Sequence, residues 1–252
     1  MAPSRISLIT PTGDVDGSRH VWLRNLSDAI SRLDGVEHIV AVDGPVDEAR
    51  AARLAELEGS RVIELGFDHL VGAAAARNLA LPATTGRYVG SVDDDDMIIA
   101  SGLRALASAL DEDETIDWAA GYLVDADELL NVTGRWDHLA RPGRYKAGQV
   151  FALWEEPGSE FPLPPTAMLT RRDVLMSVGG WAGLPSAEDF GMAVAVTGSF
   201  NGAVIDRDVY FYRKHPGQAT RGALADRVLE GRVREAAYLR GLARQRVAQA
   251  TP

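Results

Sequence analysis

A short apolar segment of this chain runs directly into four adjacent aspartates, so that residues 89–96 read Val-Gly-Ser-Val-Asp-Asp-Asp-Asp. Neighbouring carboxylates repel one another, and the end of a strand leaves them little room to separate. A divalent cation would neutralise the cluster, because hard cations prefer carboxylate oxygens. If the cation also held a diphosphate, it would activate a leaving group. Taken alone, the four acids are equally well interpreted as a metal site or as a solvated acidic turn.

Strand-like and helical segments alternate through the first hundred residues. The predicted strands are 5–10, 36–42, 61–65 and 87–92, and the predicted helices are 18–33, 47–58 and 72–81, the first with Ser18 as N-cap. This order is typical of βαβ units around a parallel sheet. Ligands of such sheets bind beyond the carboxyl ends of the strands. Thr10, Asp43 and Asp93–Asp96 are all expected at such ends.

The second half of the chain is less regular. Its predicted strands are 118–124, 167–170 and 209–213, and its predicted helices are 101–110, 186–197, 222–249 and a segment beginning at residue 173. Residues 131–165 are predicted as a loop with five aromatic residues, namely Trp136, Tyr145, Phe151, Trp154 and Phe161. We expect this loop to contact an acceptor, because loops commonly carry specificity.

The composition excludes several classes of protein. Hydrophobic residues make up 46% of the 252 residues, which is enough for a sizeable core. A net charge of −10 argues against nucleic acid as a partner. The absence of cysteine excludes disulfides and cysteine-ligated metal centres. Because the sequence shows neither a signal-peptide core nor an apolar run long enough to span a membrane, we expect a cytoplasmic protein without a transmembrane segment.

Several polar residues have both a functional and a structural interpretation. Arg77 is either a phosphate ligand or a residue of a helix surface. Asp43 is either a hydrogen-bond acceptor for the base or ribose of a nucleotide, or part of an Asp-Gly turn. Glu188 and Asp189 supply either a general base or the acids that favour a helix amino terminus. His215 is either a ligand for metal or phosphate, or an exposed loop residue.

Together these segments resemble the inverting nucleotide-sugar glycosyltransferases of family 2, which have the GT-A fold. The resemblance spans residues 5–218 and rests on the order of seven motifs. These are Thr10-Pro11, Val40-Ala41-Val42-Asp43-Gly44 with Asp47, Gly72 to Asn78, Val92-Asp93-Asp94-Asp95-Asp96, Arg171-Arg172-Asp173 through Gly179-Gly180-Trp181, Glu188-Asp189, and Tyr212-Arg213-x-His215. One departure is that Val194 and Ala195 stand where the family often has an arginine after the Glu-Asp pair.

The resemblance assigns roles to particular residues. It implies that Asp189 is the catalytic base and that Asp95 and His215 hold a divalent metal, Mn²⁺ or Mg²⁺, with Asp96 in support. The residues that it implies for donor binding are Thr10, Pro11, Asp43, Arg77, Asp93 and Asp94. The implied donor is a nucleotide diphosphate sugar, with a uridine nucleotide favoured, and the implied acceptor is a hydroxyl group of a small molecule or a glycan.

The resemblance also implies an organisation for the chain. We expect a Rossmann-like α/β domain of the GT-A type, with a mostly parallel central sheet flanked by helices. Residues 1–220 would form this domain, with a nucleotide-sugar half (1–100) and an acceptor half (101–220). The function would be metal-dependent inverting glycosyl transfer. A sugar-1-phosphate nucleotidyltransferase and a non-catalytic, metal-dependent carbohydrate-binding protein are the alternatives.

A predicted amphipathic helix occupies the carboxyl-terminal segment 221–252, which contains seven arginines and three acids. The favoured interpretation is a helix that packs on the domain through its leucines. The alternatives are a homodimer contact and a peripheral attachment to an anionic membrane surface.

Overall fold

The computed structural model describes residues 5–157, 159, 161–184, 187–218 and 227–250. These residues form a ten-stranded mixed sheet with helices on both faces. The strands are β1 (Ile6–Thr12), β2 (Val36–Val42), β3 (Ser60–Glu64), β4 (Tyr88–Ser91), β5 (Met97–Ile98), β6 (Trp118–Ala126), β7 (Val132–Arg135), β8 (Gly143–Tyr145), β9 (Met168–Arg171) and β10 (Gly202–Arg213).

The α-helices are α1 (His20–Ser31), α2 (Glu48–Ala55), α3 (Ala73–Ala80), α4 (Ala100–Glu112), α5 (Gln149–Ala152), α6 (Arg172–Ser177), α7 (Glu188–Ser199) and α8 (Arg227–Ala250). Short 3₁₀ turns lie at Leu81–Ala83 and Pro165–Ala167. The long helix predicted at the carboxyl terminus corresponds to α8, and its predicted start lies outside the described residues.

The sheet runs in the order β3-β2-β1-β4-β9-β6-β10-β5, while β7 pairs with β6 and β8 pairs with β10. The first four of these strands are parallel, as βαβ units require. β9 is antiparallel to both of its neighbours, and β10 is parallel to β6. The predicted α/β fold class is therefore confirmed, with parallel pairing concentrated in the first half and mixed pairing in the second.

Apolar side chains cover both faces of the sheet. On one face, Ile9, Ile39 and Trp118 pack with residues of α3, α7 and α8. On the other face, Leu8 and Ala119 pack with residues of α1 and α4. Both faces are buried along most of the sheet, so the open carboxyl edge of the parallel strands is left for polar groups.

Two details at the start of the chain differ from the sequence prediction. β1 does not end at Thr10 but continues through Pro11 to Thr12, in register with β2. Proline is accommodated because the pairing of β1 with β4 already ends at Ile9. Ser18 is not the N-cap of α1, because the helix begins at His20 and the Ser18 hydroxyl donates to Asp14 (3.1 Å).

The predicted loop 131–165 contains β7, β8 and α5, so its description as a plain loop is wrong. Phe151, Trp154 and Phe161 are buried in the core, where they pack edge-to-face around Trp154. Trp136 is 39% exposed. Three of the five aromatic side chains therefore serve core packing, and contact of this segment with an acceptor stays a prediction. β10 begins at Gly202, earlier than the predicted start at residue 209. The polar stretch at residues 206–208 belongs to this strand, and its pairing with β6 is irregular there.

A buried histidine makes the stability of this fold dependent on pH. The imidazole of His38 forms hydrogen bonds with the hydroxyl groups of Thr10 (2.9 Å) and Ser60 (2.8 Å). Burial lowers the pKa of His38 to about 3. The unfolded chain binds this proton near pH 6.5, so stability is lost as pH falls below that value. We expect this group to lower the free energy of unfolding by about 2 kcal/mol between pH 7 and pH 5. Urea unfolding of the wild type and His38→Gln would test this, since the difference between them should shrink at low pH.

Candidate functional site

The four aspartates that follow β4 diverge and contact different parts of the fold. The carboxylate of Asp93 forms an ion pair with the Arg77 guanidinium. Its backbone N–H donates to the Tyr210 hydroxyl (3.0 Å), which ties the start of the cluster to β10. Asp94 turns the other way, where it accepts a hydrogen bond from Thr12 (2.6 Å) and lies 3.3 Å from Arg19. Neighbouring residues thus give the acids of this run different environments.

Asp95 is paired with residues at the end of β10 and just after it. Its Oδ2 lies 3.0 Å from Nε2 of His215, and its carbonyl accepts a hydrogen bond from Nε of Arg213 (2.6 Å). Trp22 of α1 packs against both partners. The centroid of its ring lies 4.6 Å from the centroid of the His215 ring and 5.0 Å from the Arg213 guanidinium. The sequence-predicted pair of Asp95 and His215 is therefore brought together, and Trp22 supports it from across the site.

Asp96 is almost fully buried and accepts the backbone N–H of Arg213 (2.7 Å) through Oδ1. Burial, followed by repulsion from Asp95 and Asp93, raises the pKa of Asp96 well above its usual range. Burial also raises the pKa of Asp94 to about 7, despite the opposing effect of Arg19. The cluster is an environment in which negative charge is costly, and a bound cation would relieve that cost.

Arg77 connects the aspartates to the second half of the chain. This residue of α3 is only 3% exposed. Its Nε donates to Ser91 (2.8 Å), and its two terminal nitrogens form ion pairs with Asp93 and Glu188. The structural alternative of a helix-surface arginine is therefore wrong, because three elements converge on this one guanidinium.

The glycine-rich turn before α7 is fixed to the same helix. Asn78 donates to the carbonyl of Trp181 (2.8 Å) and accepts the backbone N–H of Trp181 (2.8 Å). Gly180 has a φ of 71°, and a Cβ there would collide with the Asn78 amide. This two-point contact was not predicted, although Asn78 and Gly180-Trp181 both lie in motifs that the sequence analysis singled out.

Asp189 lies in the first turn of α7, beside the Arg77 pair. Ala187, the residue that precedes the helix, has a left-handed backbone (φ 50°, ψ 33°). The Asp189 carboxylate accepts the N–H of Phe190 (2.8 Å) and lines a small cavity with Ser91, Thr166 and Trp181. Burial, followed by repulsion from Glu188, raises the pKa of Asp189 to about 7, against the effect of Arg77. A carboxylate with this pKa can exchange a proton near neutral pH.

The remaining predicted residues are buried in β1 and just after β2. Asp43 follows β2, and its carboxylate accepts the N–H groups of Val71 (2.9 Å) and Gly72 (2.7 Å), which fixes the loop before α3. Thr10 is buried within β1, where its hydroxyl meets His38, so its expected place at the strand end is wrong. Thr12 occupies that end instead, and Pro11 is buried beside it.

No cluster of three or more histidine, aspartate or glutamate side chains is arranged to hold a metal by itself among the residues described. The donor set of Asp95 and His215 is nevertheless compatible with Mn²⁺ or Mg²⁺. An oxygen and an imidazole nitrogen already face each other at 3.0 Å within a cluster of carboxylates. One or two carboxylates are the usual protein ligands of Mg²⁺ where substrate phosphates complete the coordination. In the described part of the chain, no helix is long and apolar enough to span a membrane.

Sequence comparison connects this arrangement to a known family. The family model described as glycosyl transferase family 2 matches residues 19–179. Succinoglycan biosynthesis protein ExoU of Rhizobium meliloti (strain 1021) is 30% identical over 118 residues, which are 46% of this chain and 34% of that protein. The Escherichia coli protein WfgD, a UDP-Glc:alpha-D-GlcNAc-diphosphoundecaprenol beta-1,3-glucosyltransferase, is 26% identical over 105 residues, or 42% of this chain and 40% of that protein. The aligned regions thus span well under half of these relatives.

Structural comparison gives the same fold. The crystal structure of S. aureus TarS 1–349 in complex with UDP-GlcNAc matches 87% of this chain and 61% of that chain, with a TM-score of 0.67 and 19% identity. The same protein in complex with UDP matches 84% of this chain and 61% of that chain, with a TM-score of 0.63 and 20% identity. At these identities the likeness establishes the fold.

Proposed function

Because the chain belongs to glycosyl transferase family 2, we propose that it transfers a sugar from a nucleotide diphosphate sugar to an acceptor hydroxyl, with inversion at the anomeric carbon. One observation carries this proposal. Arg77 ties Asp93, in the acidic cluster after β4, to Glu188, which is next to Asp189. A donor held at the acidic cluster would therefore lie beside a carboxylate that can accept a proton.

The donor side of the proposed site is formed by the ends of the parallel strands. We assign Asp43 and Asp93 to the nucleotide and Arg77 to the nucleotide or diphosphate. Arg77 would have to exchange part of its ion pairing for phosphate contacts, which a five-donor guanidinium permits. A UDP-sugar is the favoured donor, because a curated relative uses UDP-glucose by its name and TarS was crystallised with UDP-GlcNAc.

Asp95 and His215 are the residues that would hold a divalent metal, with Asp96 and Arg213 fixing the backbone around them. When bound, such a metal stabilises the charge that develops on the departing nucleotide diphosphate. The role of the chain itself is to hold the two ligands in place. His215 is fixed by Trp22, and Asp95 is fixed through its carbonyl by Arg213.

Asp189 is the proposed general base. Its carboxylate would take the proton from the acceptor hydroxyl while that oxygen attacks the anomeric carbon from the face opposite the leaving group. The cavity that it lines with Thr166 and Trp181 offers a place for the acceptor oxygen. A pKa of about 7 leaves the carboxylate sufficiently ionised at neutral pH and basic enough to accept the proton.

Within this proposal, residues 1–220 act as one catalytic unit with a donor half (1–100) and an acceptor half (101–220). The test is turnover of a panel of nucleotide sugars with and without Mn²⁺, with a range of hydroxyl acceptors. Formation of a glycoside with inverted configuration and free nucleoside diphosphate supports the proposal. Formation of a nucleotide sugar and pyrophosphate from a sugar 1-phosphate and a nucleoside triphosphate would instead identify a nucleotidyltransferase.

The metal assignment predicts a specific change in donor binding. Asp95→Ala should remove the Mn²⁺-dependent part of the affinity for the nucleoside diphosphate, because the carboxylate that would hold the cation is lost. Calorimetric titration with UDP, in the presence and absence of Mn²⁺, measures this directly. Asp68→Ala is a suitable control, since Asp68 is exposed. Equal enhancement by Mn²⁺ in the Asp95 variant and the wild type would refute the assignment.

A further inference from the structure

The carboxyl-terminal helix α8 packs along α7, the helix whose first turn carries Asp189. Its contact face contains the buried residues Val233 and Ala237 and, one turn further, Gly241. A Cβ at Gly241 would collide with the ring of Phe151, so the small residue allows the helix to approach the core closely. Tyr238 packs against both Phe151 and Trp154. The helix is thus seated on the aromatic core of the acceptor half.

One residue of α8 reaches the catalytic turn. The guanidinium of Arg234 lies 4.7 Å from the centroid of the Phe190 ring, the geometry of a cation–π contact. Phe161 also packs against that ring and meets it edge-to-face, with the ring centroids 5.9 Å apart. Arg234 is itself held by a hydrogen bond to the Ser159 carbonyl (3.2 Å). Phe190 is therefore held between a core aromatic residue and a fixed cation.

Phe190 directly follows Asp189 and donates its backbone N–H to the Asp189 carboxylate (2.8 Å). The turn that contains both residues begins at Ala187, whose left-handed backbone is unfavourable for a residue with a Cβ. A strained entry of this kind persists only when tertiary contacts hold the following residues in place. The grip on the Phe190 ring supplies such a contact.

From these contacts we infer that Arg234 is a positioning residue, which orients Asp189 by clamping Phe190 from the carboxyl-terminal helix. The inference rests on the proposed function of Asp189. It gives α8 a role within its own chain, as part of the support for the catalytic turn. A loss of the clamp would misplace the base, while Asp43, Asp94 and Asp95 on the donor side keep their own contacts with Val71, Thr12 and His215.

The test compares Arg234→Ala with Arg234→Lys and Arg240→Ala. Arg240 is an exposed arginine of the same helix, so its replacement removes the same charge away from Phe190. We expect Arg234→Ala to lower kcat by about tenfold, because small misplacements of a catalytic group have large effects on rate. KM and Kd for the donor should stay within twofold of wild type. Arg234→Lys should recover much of the activity, and Arg240→Ala should match the wild type.

Hydrogen exchange provides a readout that requires no turnover. Amides in the first turn of α7 should exchange faster in Arg234→Ala than in Arg240→Ala, while exchange in β1 and β4 stays unchanged. Unchanged exchange at that turn, or a kcat within twofold of wild type, would overturn the inference. If Arg234→Ala does not fold, Phe190→Leu removes the clamped ring and is subject to the same criteria. Failure of the base assignment would instead appear as retained turnover in Asp189→Asn.

Discussion

Asp189→Asn is expected to lower kcat by about 10²–10⁴-fold, the usual contribution of a general base. The amide has nearly the same shape as the carboxylate but cannot accept the proton of the acceptor hydroxyl. The Kd for UDP should stay close to the wild-type value, since donor binding is assigned to the strand ends and to Arg77. Steady-state kinetics together with calorimetry separates these two effects. Turnover near the wild-type level would remove Asp189 from the catalytic role.

The same variant should show a gain in stability that depends on pH. Burial raises the pKa of Asp189 to about 7, so the folded protein disfavours the ionised form. Below the ordinary pKa of an aspartate, both the folded and the unfolded chain carry the proton and no penalty exists. As pH rises from about 4 to about 7, the unfolded chain releases this proton while the folded protein retains it, so stability is lost over that interval and stays lost above it. Asp189→Asn should therefore have a higher Tm than wild type at pH 8, and this difference should vanish toward pH 4.

Activity of the wild type should follow the same titration. The base works only as a carboxylate, so kcat should rise with pH along a limb centred near 7 if proton transfer limits the rate. Glu188→Gln tests whether Asp189 is the titrating group, because repulsion from Glu188 contributes to the raised pKa of Asp189. That variant should move the ascending limb to lower pH. A limb that stays in place would show that another group controls the rate.

The order of elements in the first half could be predicted from sequence because local signals agree there with the tertiary structure. The strand Val36–Val42 was predicted to the residue, since it is a short apolar run bounded by glycine and by Asp43-Gly44. Asp95 and His215 were paired through the family resemblance, and the structure places them in contact. What made these features predictable is that each motif is contiguous.

Features that depend on contacts between distant segments could not be predicted in the same way. Trp22 looks like a core residue of an amphipathic helix, and only the fold brings it to His215. The aromatic residues of 131–165 suggested a binding loop, but a sequence carries no information about which rings stack inside. The Arg234–Phe190 contact joins residues 44 positions apart through two helices whose packing no local pattern specifies.

Arg77→Met is expected to be the most destabilising substitution considered. It removes a buried cation and leaves the carboxylates of Asp93 and Glu188 without their partner. Breaking a buried ion pair by deleting one member typically costs about 3–5 kcal/mol. The side chain of Asp93 is 35% exposed and can be partly solvated, so the low end of that range, about 3 kcal/mol, is the expected loss. Urea unfolding at pH 7 measures it, and Arg104→Ala, on the exposed side of α4, is the matched control.

The cause of this loss can be separated from loss of packing. If the uncompensated charges are responsible, the cost should be smaller at pH 5 than at pH 7, because protonation of the orphaned carboxylates relieves it. The double variant Arg77→Met/Glu188→Gln should recover part of the loss, which a double-mutant cycle quantifies. Arg77→Lys should be intermediate, since one ammonium keeps the charge but cannot bridge Ser91, Asp93 and Glu188 in a fixed fork. An Arg77→Met protein within 1 kcal/mol of wild type would show that Arg77 is not the connection between the two halves of the site.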